Sequence, residues 1–360
     1  MRKIMRILAI NPGSTSTKIS VFDELNEIFT QTIRHSTDEL ALYSKIIDQY
    51  DFRKKILIEV LEKEHIPVSS INVVVGRGGL LKPIPGGVYK VNDILIEDLR
   101  KEILGEHASN LGGILADCIA KEIGNDVNAF IVDPVVVDEL DDIARPSGCP
   151  ELPRISIFHA LNQKAVARRF AREIGKKYEE LNLIVVHLGG GITIGAHKHG
   201  RVVDVNNGLD GEGPFSPERA GTVPIGALVK LCFSRKYELH EVRKMITGKG
   251  GLVAYLGTNN ANEVEQRITK GSQKDKNIYE SMAYQIAKDI GAYSTVLKGE
   301  IDAILITGGL ANSAMLIEWI KERVSFIAPI HIYPGEDEMK ALAEGVYYAL
   351  KGELEIRDYN

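Results

Sequence analysis

Apolar and polar positions along this chain fall into two rhythms. Short apolar runs that stop at glycine, asparagine or aspartate predict buried strands at Ile7 to Ile10, Ile71 to Val75, Asn128 to Val132 and Asn182 to Leu188. A further run opens at Ile301 and ends at Gly308-Gly309, and a short one covers Ile330 to Ile332. Stretches of alternating character supply hairpin partners at Lys18 to Asp23, Glu27 to Arg34, Ile192 to His199 and Arg201 to Asn206, with Gly87 to Lys90 as an edge strand. The helical rhythm appears over Asp51 to Glu64, where Ile56, Leu57, Val60 and Leu61 share a face. It returns from Asp93 to about Leu104 behind the cap Asn92, and over Ser109 to Ile123, His159 to Leu181 and Pro224 to Phe233. Leu239 to Thr247, Ala261 to Thr269, Asn277 to Lys298, Ser313 to Val324 and Asp337 to Lys351 complete the helices.

One arrangement recurs. After the first strand comes Asn11-Pro-Gly-Ser-Thr-Ser-Thr17, a tight bend rich in hydroxyls and amides, then a second strand. Gly13, Ser14, Thr15 and Ser16 there suit the oxygens of a phosphate, although such a bend is also an ordinary hairpin turn. Gly189-Gly190-Gly191 repeats the strand-turn-strand layout in the second half, and Gly308-Gly309 follows a third strand and precedes a helix. The triple glycine is not a dinucleotide fingerprint, because a strand rather than a helix follows it. Thr247-Gly-Lys-Gly-Gly251 imitates a Walker lysine but has no strand before it and no hydroxyl after Lys249.

Composition narrows the field modestly. A chain of 360 residues favours two domains, and 26% charged with 44% hydrophobic residues is ordinary for a globular protein. A net charge of −5 gives no reason to expect nucleic acid or an anionic membrane as partner. The apolar run after Arg6 is too short for a signal peptide, and no stretch approaches a spanning helix. Cys118, Cys149 and Cys232 are scattered and without metal spacing, so a reducing cytoplasmic setting is expected.

Several side chains have the placement that chemistry needs. Arg77 ends a strand between glycines, as an exposed charge or as a two-pronged partner for a carboxylate. Asp133 ends another strand, as a turn residue or as a functional carboxylate beyond the carboxyl end of the sheet. His159 opens a helix and His107 lies between two helices, each a cap, a buried histidine or a catalyst. His187 inside an apolar strand reads as structural, and His197 with His199 as an exposed hairpin end rather than a metal pair. Arg219 sits in the proline-punctuated loop before Pro224, where a long irregular stretch favours function.

The ordered set of motifs resembles the acetokinase family of short-chain fatty acid kinases, its butyrate and branched-chain members more than the acetate kinases. Asn11-Pro-Gly-Ser-Thr-Ser-Thr-Lys18 is similar to the family's opening signature, with Thr15 in place of a serine. Gly76-Arg-Gly-Gly79, Ile157-Phe-His159, His187-Leu-Gly-Gly190, Phe215-Ser-Pro217 and Thr307-Gly-Gly-Leu-Ala-Asn312 follow in the family's order. The resemblance implies an α/β, two-lobed actin-like ATPase fold of duplicated ribonuclease H-like domains with mixed sheets flanked by helices. It implies domains at 1–155 with 338–360 and at 156–337. It implies ATP/ADP and Mg²⁺ as cofactors, a short-chain fatty acid and its acyl phosphate as ligands, and a homodimer or higher homo-oligomer.

By the same resemblance Asn11 places the transferring phosphoryl group and its metal, Arg77 clamps the substrate carboxylate, and His159 with Arg219 meets phosphoryl oxygens. Ser14, Thr15, Ser16, Lys18, His187, Gly189, Gly190, Gly191, Gly308, Gly309 and Asn312 hold the nucleotide. Asp133 and one of Glu336, Asp337 and Glu338 support the metal. Arg219 stands in for an arginine that acetate kinases carry after a Gly-Thr pair, here Gly221-Thr222-Val223. Gly78 and Gly79 replace bulkier valines, which predicts room for extra methylenes worth roughly 0.8 kcal/mol each. His107, Phe158 and Pro217 join them as substrate-binding residues, and a C4–C5 acid is expected over acetate. An ionised carboxylate needs no general base, so the cations fit this substrate better than the hydroxyl of a sugar. A nucleotide-switched binding protein of the same superfamily would have no use for Arg77 between its glycines.

Overall fold

A computed structural model describes residues 4–124 and 126–360. Residues 1–3, the start of the first expected domain, lie outside the described residues. The chain divides into two compact units, residues 1–137 with 337–360, and residues 138–336.

The first unit holds a seven-stranded sheet in the order β12-β5-β6-β4-β1-β2-β3. Its strands are β1 (Arg6–Pro12), β2 (Ser16–Asp23), β3 (Asn26–Arg34), β4 (Val73–Arg77), β5 (Val88–Lys90), β6 (Asn128–Val132) and β12 (Ile356–Asp358). β1, β2 and β3 form antiparallel hairpins, while β4 runs parallel to both β1 and β6. The apolar runs at Ile7 to Ile10 and Val73 to Val75 are buried, as strands covered on both faces must be. The helix Asn110–Ile123 packs against β1, β4 and β6, and so does the late helix Glu338–Leu350.

The second unit holds a five-stranded sheet in the order β11-β10-β7-β8-β9. These are β7 (Asn182–Leu188), β8 (Ile192–Lys198), β9 (Arg201–Val205), β10 (Ala303–Gly308) and β11 (Ile330–Pro334). Again two antiparallel hairpins lead to parallel neighbours. Matching β3-β2-β1-β4-β6 against β9-β8-β7-β10-β11 gives the duplication, with β5 and β12 added to the first copy. The helices Ala160–Glu173 and Gln273–Val296 cover the second sheet.

Some expectations need correction. Residues 138–155 belong with the second unit, not the first. Arg154 donates to Asp204 at 2.8 Å and to the Val205 carbonyl at 2.9 Å, and Lys164 pairs with Glu139 at 2.7 Å in a buried setting. The helix expected over His159 to Leu181 ends at Glu173, because Gly175 turns left-handed with φ +69. That expected from Asp93 ends at Lys101, where Glu102 adopts φ 52. The helices Thr37–Leu40 and Gly251–Leu256 and strand β12 are too short for periodicity to announce.

Candidate functional site

In the first unit, three side chains from distant parts of the chain meet at the carboxyl ends of β1 and β4. Arg77 is the last residue of β4, and its guanidinium donates to Glu338 Oε2 at 3.0 Å and to Asn11 Oδ1 at 3.4 Å. Asn11 Nδ2 donates to the same Glu338 oxygen at 2.5 Å. Arg77 and Glu338 keep 34% and 22% of their side-chain surface in contact with solvent, so the pair is neither sealed in nor fully hydrated. This cluster distinguishes the three late acids. Glu338 reaches Asn11 and Arg77, Asp337 is the exposed residue before its helix, and Glu336 meets His187 Nε2 at 3.2 Å in the second unit.

The bend between β1 and β2 rests on a residue outside the motifs, in the helix Tyr50–Lys63. Arg53, 1% exposed, donates to the carbonyls of Gly13 at 2.7 Å, Ser14 at 3.1 Å and Ser16 at 3.0 Å, and to Thr17 Oγ1 at 3.1 Å. Burial pulls its pKa down to about 10, which leaves it a cation at neutral pH. With the carbonyls turned toward Arg53, Ser14 and Thr15 stay exposed at the tip, and Lys18 is exposed opposite Asn11 in the hairpin register. The signal was present in the sequence. Arg53 precedes Leu57 by one helical turn, which places a charge on the apolar stripe.

Asp133 adopts φ 37 just beyond β6, and its Oδ1 accepts from the Gly87 amide at 2.7 Å while its own amide donates to the Gly87 carbonyl at 2.9 Å. It therefore pins the start of β5. His107 Nδ1 accepts from the Ser109 amide at 3.2 Å, so its ring hydrogen lies on Nε2. Desolvation, then the charge of Arg77, push its pKa down.

Gly78 and Gly79 do not open the space expected of them. A Cβ on Gly78 would lie 2.5 Å from Pro134 Cβ, and one on Gly79 would lie 2.5 Å from Asn110 Oδ1 and 2.8 Å from Leu99 Cδ2. The same tightness runs through the strand before them, where a Cβ on Gly76 would collide with the Gly112 carbonyl. Gly76 and Gly79 let β4 and its exit approach the helix Asn110–Ile123 closely, and Gly78 lets the chain pass against Pro134. Their absent side chains are replaced by protein, not by a cavity for methylenes.

In the second unit, Gly189-Gly190-Gly191 joins β7 to β8, with the Gly189 amide donating to the Gly191 carbonyl at 3.1 Å. The Arg219 guanidinium packs against this turn, so a Cβ on Gly191 would collide with it, and it donates to the Gly208 carbonyl. Ser216 Oγ fixes the loop by donating to the Gly190 carbonyl at 2.6 Å and accepting from the Arg219 amide at 3.1 Å. Burial lowers the Arg219 pKa and Glu218 opposes that shift. His159 stacks on His187 with ring centroids 3.8 Å apart and planes 12° from parallel. Phe158 and Pro217 are buried.

Gly308 adopts φ 93 with its Cα against the Leu188 backbone, and its amide donates to the Gly335 carbonyl at 3.2 Å. Gly309 and Asn312 are exposed before the helix Ala314–Val324, and Asn312 donates to the Gly309 carbonyl at 3.0 Å. His197 departs from expectation. It is fully buried, not at an exposed hairpin end, and burial holds its pKa well below the usual histidine range.

Of the residues expected at a metal, Glu338 and Asn11 are in contact, whereas Asp133 Oδ1 is engaged by the Gly87 amide. Among the described residues no group of three or more His, Cys, Asp or Glu side chains is assembled to hold one. A carboxylate and an amide oxygen are the hard donors that Mg²⁺ takes, and it is ordinarily held by one or two carboxylates together with substrate phosphates. No helix among the described residues is long and apolar enough to cross a membrane.

Residues 154–333 match the model of the acetokinase family. Butyrate kinase 2 of Clostridium acetobutylicum is 57% identical over 354 residues, covering 98% of this chain and 99% of its own. Butyrate kinase 1 of the same organism is 58% identical with the same coverage. The crystal structure of Porphyromonas gingivalis acetate kinase superposes with a TM-score of 0.74 at 18% identity, over 95% of this chain and 99% of that one, which establishes the shared fold.

Proposed function

We propose that this chain, which belongs to the acetokinase family, transfers the terminal phosphoryl group of ATP to the carboxylate of butyrate or a branched C4–C5 acid, reversibly. The observation that carries the reading is Arg77, a half-exposed cation at the end of a buried strand, held between Asn11 and Glu338. The preference for butyrate over acetate is supported by the likeness to the two butyrate kinases, since the surroundings of Gly78 and Gly79 give it no support.

The chemistry is direct. A carboxylate oxygen forms a bond to the γ-phosphorus as the bond from that phosphorus to the bridging β-oxygen breaks, leaving acyl phosphate and ADP. The acid is ionised at neutral pH, so no proton has to be removed. The obstacle is the approach of one anion to another, which at close range in a poorly screened site costs several kcal/mol, roughly. Arg77 neutralises and orients the carboxylate through its two-pronged face. His159 and Arg219 serve the phosphoryl oxygens, where charge is spread in the transition state. The Gly189–Gly191 turn, the bend on Arg53 and the Gly308-Gly309 corner serve the nucleotide. Mg²⁺ would be supported by Glu338, Asn11 and Asp133, and when bound it offsets phosphate charge.

A cytoplasmic homo-oligomer completes the proposal. The helix Ile225–Cys232 supports self-association, because it is strongly apolar yet has no buried residue, with Ile225 76% exposed and the adjoining Phe233 84% exposed. The three scattered cysteines support a reducing compartment.

Incubating the protein with ATP, Mg²⁺ and a panel of C2–C6 acids in the presence of hydroxylamine tests the reaction. Acyl hydroxamate should form, most from C4 and C5 acids. A panel that yields none, or that turns over acetate with an equal or better kcat/KM, refutes the proposal or its chain-length part respectively.

A further inference from the structure

His159 stands at one end of a buried hydrogen-bonded chain that lies wholly in the second unit. Its Nδ1 is 2.9 Å from Thr193 Oγ1. Gln163 Nε2 is 2.9 Å from the same hydroxyl and 3.1 Å from the Thr193 carbonyl. Gln163 Oε1 is 2.9 Å from His197 Nε2, and His197 Nδ1 is 2.6 Å from the Tyr178 hydroxyl. Thr193, Gln163 and His197 are each 0% exposed, so no water competes for these bonds.

The direction of the hydrogens follows from the Thr193 carbonyl and from the burial of the chain. The Thr193 carbonyl can only accept, so the Gln163 amide must face it with nitrogen. That turns Oε1 toward His197 and obliges His197 Nε2 to carry its ring hydrogen. Burial keeps His197 neutral, with the charges of Lys164 and Arg168 acting the same way, so Nδ1 accepts from Tyr178. At the other end the second N–H of Gln163 donates to Thr193 Oγ1. The Gln163 nitrogen cannot accept, so of the two groups bonded to Thr193 Oγ1 it is His159 Nδ1 that takes the hydroxyl hydrogen.

We propose that Tyr178, His197, Gln163 and Thr193 are positioning residues that lock His159 in the Nε2–H tautomer, so that it presents a donor to a phosphoryl oxygen. A ring with its hydrogen on Nδ1 would present a lone pair to that anion and repel it. The lock supplies the donor without protonating the ring. The stack on His187 fixes the plane of the ring while the chain fixes its hydrogen. What His159 donates to rests on the phosphoryl-transfer reading, whereas the tautomer does not.

Nuclear magnetic resonance of the full chain labelled with ¹⁵N in its histidine rings reads the tautomer directly, with His159→Gln assigning the signal. Wild-type His159 and His197 should each show a single Nε2–H form. Thr193→Val keeps the shape and removes the hydroxyl. His159 should then become a mixture, and kcat with butyrate should fall roughly tenfold while KM for ATP and butyrate holds within about twofold. Thr193→Ser should restore both. Tyr178→Phe, at the far end, should release the His197 tautomer and lower kcat by a smaller factor. An Nδ1–H form of His159 in the wild type overturns the proposal, even if no variant folds. So does a Thr193→Val protein with unchanged tautomer and kcat. A wild type that makes no acyl phosphate refutes the enzymatic reading instead, and the wild-type spectrum still decides the tautomer.

Discussion

Gly79→Ala separates two accounts of the glycines after Arg77. If they exist to enlarge a pocket, one methyl should shorten the preferred acid and leave stability alone. The structure predicts the reverse. The new carbon would lie 2.5 Å from Asn110 Oδ1, 2.7 Å from Asn110 Cα and 2.8 Å from Leu99 Cδ2. Ordinary carbon contacts begin near 3.5 Å, so all three neighbours must yield by most of an ångström, roughly. Asn110 is 1% exposed and spans the corner, accepting from the Leu80 amide at 2.8 Å and donating to the Gly105 carbonyl at 3.1 Å. Forcing it aside strands buried polar groups at about 1–3 kcal/mol, and moving the helix behind it costs a similar overpacking term of about 1–3 kcal/mol. A loss of about 2–4 kcal/mol should lower the first unit's melting temperature by roughly 5–15 °C. Calorimetry at a fixed scan rate, paired with kcat/KM for acetate and butyrate, reads both quantities. A variant that melts within a degree of wild type while its preference moves toward acetate would refute the packing argument and restore the pocket.

Four further outcomes are expected. Arg77→Ala should lower kcat/KM for butyrate by about a hundredfold or more, with Arg77→Lys recovering part, and unchanged steady-state kinetics would remove the carboxylate clamp. Glu338→Gln should raise the Mg²⁺ concentration needed for half-maximal rate, and an identical Mg²⁺ titration would exclude it as metal support. Phe233→Glu should reduce the mass measured by light scattering at micromolar concentration, whereas a monomeric wild type would end the proposal of self-association through that helix. Burial, then Arg53, hold His35 at about pH 4 in the fold, with Glu39 opposing. Between about 4 and its ordinary value near 6.5 the unfolded chain therefore binds the proton that the folded chain refuses, so stability should rise with pH across that window. His35→Gln should flatten the urea midpoint over that range, and an unaltered slope would place the effect elsewhere.

How much of the fold and site is legible in the sequence depends on the distance over which a signal acts. The strands at Ile7, Val73 and Asn182 were readable because burial on both faces leaves an unbroken apolar run. The fold class and the family followed from motifs that keep their order along the whole chain. Which late acid meets Arg77 was not readable, because Glu336 and Glu338 are two positions apart and only the start of a helix decides that Glu338 reaches Asn11. His197 was misplaced because a strand ending in a glycine turn looks exposed, whereas its partners Tyr178 and Gln163 come from other elements. Gly78 and Gly79 misled for a related reason. A missing side chain in a sequence does not say whether the vacated volume holds a ligand or a neighbouring helix.

The bond between Asn11 and Glu338 joins residues 327 positions apart. On the ribosome, the first hairpin emerges long before its acidic partner, which follows every strand of the second unit. Until then β1, β4 and β6 lack the late helix, whose Leu342 and Val346 are fully buried in the finished protein. Arg77 likewise waits for its carboxylate. A chain clipped or stalled before Glu338 would thus carry the glycine turn and both stacked histidines while remaining unable to assemble the arginine cluster. Synthesis of Glu338–Leu350 is therefore the step that completes both the arginine cluster and the packing of the first sheet.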